Sequence, residues 1–145
     1  MHPYPHVYTA AACGRAEGSV ALTSPGLPDI ATAPPPEFDG PGGVWSPETL
    51  LCASIADCFV LSFRALARAS KLEWSKLSCR VEGVLERVDG VTQFTRYTTF
   101  ASLKVSSGAT DERARKLLEK AEQVCLISNS LRGERTLVIE IDVTG

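Results

Sequence analysis

Apolar residues dominate positions 49–69, and their spacing is helical rather than alternating. Asp57, Leu61, Arg64 and Arg68 fall on one stripe of that helix, while Leu51, Ile55, Cys58, Ser62 and Ala65 fall on the neighbouring one. The pattern predicts a long helix that is apolar nearly all round, which sheet or a partner subunit must wrap. Its start carries three separate physical reasons at Ser46-Pro47-Glu48: a capping hydroxyl, a proline at the first helical position and an acid in the first turn.

Elsewhere the period changes. Residues 8–23 read as two short strands about Cys13-Gly14-Arg15-Ala16-Glu17-Gly18, an N-terminal hairpin. Residues 24–46, with Pro34-Pro35-Pro36 and Gly40-Pro41-Gly42-Gly43, read as an extended loop or a short strand plus a turn. Alternation over 76–88, the turn pair Asp89-Gly90 and a second run over 92–105 predict a β-hairpin. Thr110 caps a helix running to Gln123, whose apolar positions Ala114, Leu117, Leu118, Ala121 and Val124 recur at three and four residues. Ser128-Asn129-Ser130 marks a short helical turn that Gly133 ends, and 136–143 reads as a final strand. The order β, β, helix, β, β, helix, β is an α+β pattern, expected as one domain over 1–145. Within it, 1–45 supplies hairpin and Pro/Gly-rich loop, and 46–145 supplies helix, hairpin, helix and strand.

A chain of 145 residues can bury a sizeable core without staples. The formal net charge is −2 and the charges are interspersed, so no concentrated basic face points to nucleic acid. The first residues have no basic region followed by an apolar one, and the cytoplasm is the expected compartment. Asp57, Arg64 and Arg68 interrupt the most apolar segment, so no membrane span is expected. The five cysteines, at 13, 52, 58, 79 and 125, show no CxxC spacing, which argues against structural zinc. His2 and His6 have no ligand companions at metal-binding spacing, and no phosphate loop or dinucleotide fingerprint is present, so neither metal nor cofactor is expected.

The words PPPEFDGPGGVWSPETLLCASIADCF, leading into Cys58, and KLLEKAEQVCLISNSL, carrying Cys125, together resemble the OsmC and organic hydroperoxide resistance family of thiol peroxidases. The resemblance implies antiparallel sheets packed around a long central apolar helix, in an intertwined homodimer with two active sites at the subunit interface. It implies that Cys58 attacks the peroxide and becomes a sulfenic acid, which Cys125 resolves as a disulfide. It gives Arg15, in CGRAEG, the task of stabilising the thiolate and the breaking O–O bond, with Glu48, in SPETLL, as its clamp. Organic hydroperoxides are the implied substrates, and the implied reductant is a dithiol such as a lipoyl-bearing protein. Leu126 stands where that family commonly has proline.

The chemistry needs a cation, because an unperturbed thiol is mostly protonated at neutral pH. Ten residues of unbroken helix would separate Glu48 from Cys58 by about 15 Å, so the helix proper is expected to begin nearer Leu50 with Glu48 folded back. Phe38, Trp45, Leu51, Phe59 and Phe63 are candidates to line a pocket for an apolar tail. Cys13, Cys52 and Cys79 are read as structural. The alternative function is a non-enzymatic dimeric module that binds an apolar ligand or senses redox state.

Overall fold

The computed structural model describes residues 1–144; Gly145, the end of the expected 1–145 span, lies outside the described residues. The chain divides into two compact units, residues 1–51 and the chain from residue 52 onward.

The first unit is a three-stranded antiparallel meander, β1 (Ala11–Cys13), β2 (Val20–Thr23) and β3 (Ile30–Thr32). The third strand occupies the segment that reads as a loop or a short strand. A 3-10 turn at Pro36–Phe38 follows. Gly40 is required there, because a Cβ would lie 1.7 Å from the Pro34 carbonyl oxygen.

Helix α1 (Pro47–Ser70) begins at Pro47, not near Leu50. The reason is its cap: the buried Ser46 hydroxyl accepts from the Thr49 N–H at 3.2 Å, and the Thr49 hydroxyl accepts from the Ser46 N–H at 2.9 Å. Leu50 N–H then donates to Ser46 O at 2.9 Å, the first intrahelical bond. Glu48 therefore sits in the first turn rather than folding back.

In the second unit, β4 (Trp74–Val88) and β5 (Val91–Ser106) form the expected hairpin, with Asp89 at φ 50° and Gly90 at φ 79° turning the chain. Helix α2 (Asp111–Val124), capped by the Thr110 hydroxyl accepting from Arg113 N–H, and the short α3 (Leu126–Asn129) lead into β6 (Glu134–Thr144). The sheet order is β4-β5-β6. One pair departs from the antiparallel expectation: β6 runs parallel to β5, because the connection through α2 and α3 brings the chain back in the same direction.

The core of this unit forms where Phe59, Phe63 and Ala67 of α1, Ala101, Leu103 and Val105 of β5, and Ala114, Leu118 and Ala121 of α2 interlock, with Leu72 beside them. Helical spacing of three and four and strand spacing of two put each set on one face. The opposite stripe of α1 stays open, with Leu61 48% exposed. By length and composition alone α1 is apolar enough to cross a membrane, and 22% of its most apolar window is buried within the chain. A core helix passes the same test.

Candidate active site

Cys58 lies one residue before Phe59 on α1, so its side chain sits at the border between the packed face and the open stripe. It is half-buried and lines a groove of about 460 Å³ with Ser54, Asp57, Leu61, Ser62, Ala65, Leu126 and Ile127. The Ser62 hydroxyl, one turn further along α1, lies 3.9 Å from the Cys58 sulfur, within hydrogen-bonding range for sulfur.

Cys125 occupies the corner where α2 stops and α3 starts. Its backbone is extended (φ −61°, ψ 104°) and its side chain is fully buried. Burial pushes its thiol above the ordinary value; the Ser128 hydroxyl and backbone N–H oppose the rise, and the neighbouring Cys58 thiol adds to it through hydrogen bonding and charge. The two sulfurs predicted to react are thus brought together, and the residues immediately after Cys125, Leu126 and Ile127, wall the groove into which Cys58 opens. An accessible thiol beside a shielded one suits a cycle in which the first is oxidised by a solute and the second closes on it.

The corner around Cys125 is tied from β6. Arg135 donates from Nε to Glu122 Oε1 at 2.8 Å, from Nη1 to Asn129 Oδ1 at 2.8 Å, and from Nη2 to the Glu122 carbonyl oxygen. Asn129 Nδ2 in turn donates to Gln123 O at 3.0 Å. Sequence reasoning missed Arg135 because nothing local in the final strand marks it.

Cys79 on β4 packs at the edge of the core. Its thiol is pushed up to about 12 by burial first, then by the Glu122 charge and by Cys125. That keeps it protonated and inert, in line with a structural reading. Cys52 is half-buried, and burial raises its thiol while a hydrogen bond with the Gly83 backbone lowers it. Gly83 is a glycine for this reason: a Cβ would lie 3.0 Å from the Cys52 sulfur and from the Phe94 ring. Phe59 and Phe63 belong to the core rather than to the groove. The groove's apolar wall is Leu61, Ala65, Leu126 and Ile127, residues that positions i+3 and i+7 from Cys58 and the neighbours of Cys125 would have picked out.

Arg15 and Glu48 both belong to the first unit, and the structure does not join them. Arg15 is exposed and lines a groove with Cys13, Ala21 and Ala31. Glu48 lines an apolar hollow of about 450 Å³ with Ala12, Val20, Leu22, Thr32 and Phe38. Alternate strand positions point to opposite faces, which separates the two sets. The Glu48 Oε1 atom is buried without a hydrogen-bond partner.

Known proteins resemble this chain over most of its length. The family model described as OsmC-like protein matches residues 40–140. The organic hydroperoxide resistance protein of Xanthomonas axonopodis pv. citri is 33% identical over 143 residues, covering 95% of this chain and 92% of that one. The uncharacterized protein YmaD of Bacillus subtilis is 30% identical over 112 residues, 75% of each chain. Among solved structures, an organic hydroperoxide resistance protein from Legionella pneumophila superposes with a TM-score of 0.75 at 28% identity, covering 97% of this chain and 99% of that one.

Proposed function

Because this chain belongs to the OsmC-like protein family, we propose that it is a thiol-dependent peroxidase that reduces organic hydroperoxides in defence against oxidative stress. The observation that carries the reading is the pairing of a half-buried Cys58, which lines the groove, with a fully buried Cys125, whose neighbours Leu126 and Ile127 wall it. The Cys58 thiolate attacks the terminal oxygen of the hydroperoxide, the O–O bond breaks, and the leaving alkoxide takes up a proton as alcohol. The resulting sulfenic acid condenses with the Cys125 thiol, forming the disulfide and releasing water. A dithiol such as a lipoyl group then reduces the disulfide by exchange and is itself oxidised to a disulfide.

The apolar wall of Leu61, Ala65, Leu126 and Ile127 favours a hydroperoxide with an alkyl or aryl tail over hydrogen peroxide. Arg15 is proposed as the cation that favours the thiolate and receives charge from the breaking bond, with Glu48, whose buried Oε1 has no hydrogen-bond partner, as its clamp once Arg15 leaves the separate groove it lines here. A second copy of the chain is the proposed cover for the open stripe of α1, and the cytoplasm the proposed compartment.

Treatment with one equivalent of cumene hydroperoxide, followed by peptide mass analysis, is expected to show a Cys58–Cys125 peptide lighter by two hydrogens, and Cys58→Ser is expected to consume no hydroperoxide. Free thiols after treatment, or parent-like turnover by Cys58→Ser, would instead favour an apolar-ligand-binding or redox-sensing module, for which the hollow beside Glu48 is the supporting feature.

A further inference from the structure

We propose that Arg135, acting through Glu122 and Asn129, is a positioning residue for Cys125: it sets how fast the sulfenic acid on Cys58 is resolved, and hence the hydroperoxide level at which Cys58 is overoxidised. The inference rests on the peroxidase reading and deepens it.

Cys125 stands where helical geometry is broken. Three residues before it, Glu122 lies in the last turn of α2; four residues after it, Asn129 ends α3. Four residues of helix have no stability of their own, so something else must hold the corner. The Asn129 N–H donates to the Cys125 carbonyl at 2.9 Å, closing the turn locally. Asn129 Nδ2 spans the cysteine locally by donating to Gln123 O at 3.0 Å, and Arg135 supplies the tie from a third element, because its planar fork reaches both sides of the cysteine, holding the Glu122 carboxylate and carbonyl with one edge and the Asn129 amide oxygen with Nη1. The β6 strand anchors the guanidinium, with Arg135 in register with Tyr97 of β5. The Arg135 and Glu122 side chains are 29% and 16% exposed, so this pair is screened less than an ion pair on the open surface.

Disulfide closure requires Cα atoms within roughly 4.4–6.8 Å and a defined approach of one sulfur to the other. A corner free to shift by an ångström slows such a step by up to about a hundredfold. The attack of Cys58 on hydroperoxide uses the corner only through the apolar wall of Leu126 and Ile127, which holds the tail and does not touch the reacting atoms. Loosening it therefore separates two steps: sulfenic acid forms at the usual rate, waits longer, and meets a second hydroperoxide, which transfers its oxygen to give sulfinic acid and alcohol.

The test compares the full-length parent with Arg135→Met and Asn129→Ala. Single-turnover hydroperoxide consumption reads the attack, the decay of sulfenic acid trapped with a dimedone-type probe reads closure, and mass analysis reads sulfinic acid. The expected result is consumption within about twofold of parent and closure slowed by about tenfold or more, with sulfinic acid at hydroperoxide concentrations the parent tolerates. Asn129→Ala removes the Nη1 arm of the tie together with the Asn129–Gln123 bond and moves closure in the same direction. Parent-like closure and sulfinic fraction in both variants overturn the proposal, as does equal slowing of attack and closure, which is what general loss of structure produces. A parent that consumes no hydroperoxide overturns the peroxidase reading, and the positioning role with it.

Discussion

The two units of this chain solve the problem of burial differently. The second interlocks two helices with strands of 15, 16 and 11 residues, and its aromatic and aliphatic positions on α1, β5 and α2 reach full burial. The first has strands of three and four residues, and the residues it buries are small: Thr32, Ala33 and Ser46. It leaves a hollow lined by Val20, Leu22 and Phe38, and it exposes Trp45. The difference teaches where chemistry is pre-built. The paired thiols sit on the well-packed unit, where neighbouring elements hold them, whereas Arg15 and Glu48 sit on the sparsely packed one, facing different ways.

Core truncation is the strongest way to break this comparison. Phe63→Ala, which empties the middle of the second unit's core, is expected to cost about 3–5 kcal/mol, whereas Leu22→Ala in the half-open hollow of the first unit is expected to cost less than about 1 kcal/mol. Denaturant unfolding of the two variants measures both, and comparable losses would mean that the first unit has a core of its own.

The next effect is alkaline. Cys79 ionises near 9.0 when unfolded and near 12 when folded, so the folded state keeps a proton that the unfolded chain releases. A folded value above the unfolded one contributes stability that is complete below pH 9 and lost as the pH rises toward 12. Cys79→Ala is expected to flatten the decline of the melting temperature between pH 8 and 11; an unchanged slope would remove Cys79 as the second unit's alkaline weak point. A small effect in the first unit, on the scale of Leu22→Ala, comes from Ser46→Ala, which deletes the cap of α1 and is expected to cost about 1 kcal/mol, with hydroperoxide consumption unaffected.

Several features were legible in the residues because they depend on near neighbours. Ser46-Pro47-Glu48 predicts the start of α1, and the cap geometry bears it out. Asp89-Gly90 predicts the hairpin turn, and Thr110 predicts the start of α2. The expectation that α1 starts near Leu50 failed because it put a distance argument about Glu48 above the local capping signal. Phe59 and Phe63 were candidates for a pocket wall, yet the face of α1 that carries them is the one buried under α2 and β5; helical periodicity separates two faces without saying which one meets the core.

The amino-acid order alone determined the α+β succession, the limits of its helices and hairpin to within a few residues, and the resemblance that singled out Cys58 and Cys125. Tertiary structure alone decided that β6 lies parallel to β5, that two thiols 67 residues apart (125 minus 58) are neighbours, and that Arg135 grips both flanks of Cys125. Caps, turns and periodicity are energies summed over a few adjacent residues, whereas strand direction, thiol contact and the reach of a guanidinium arise only when distant segments pack and exclude water together.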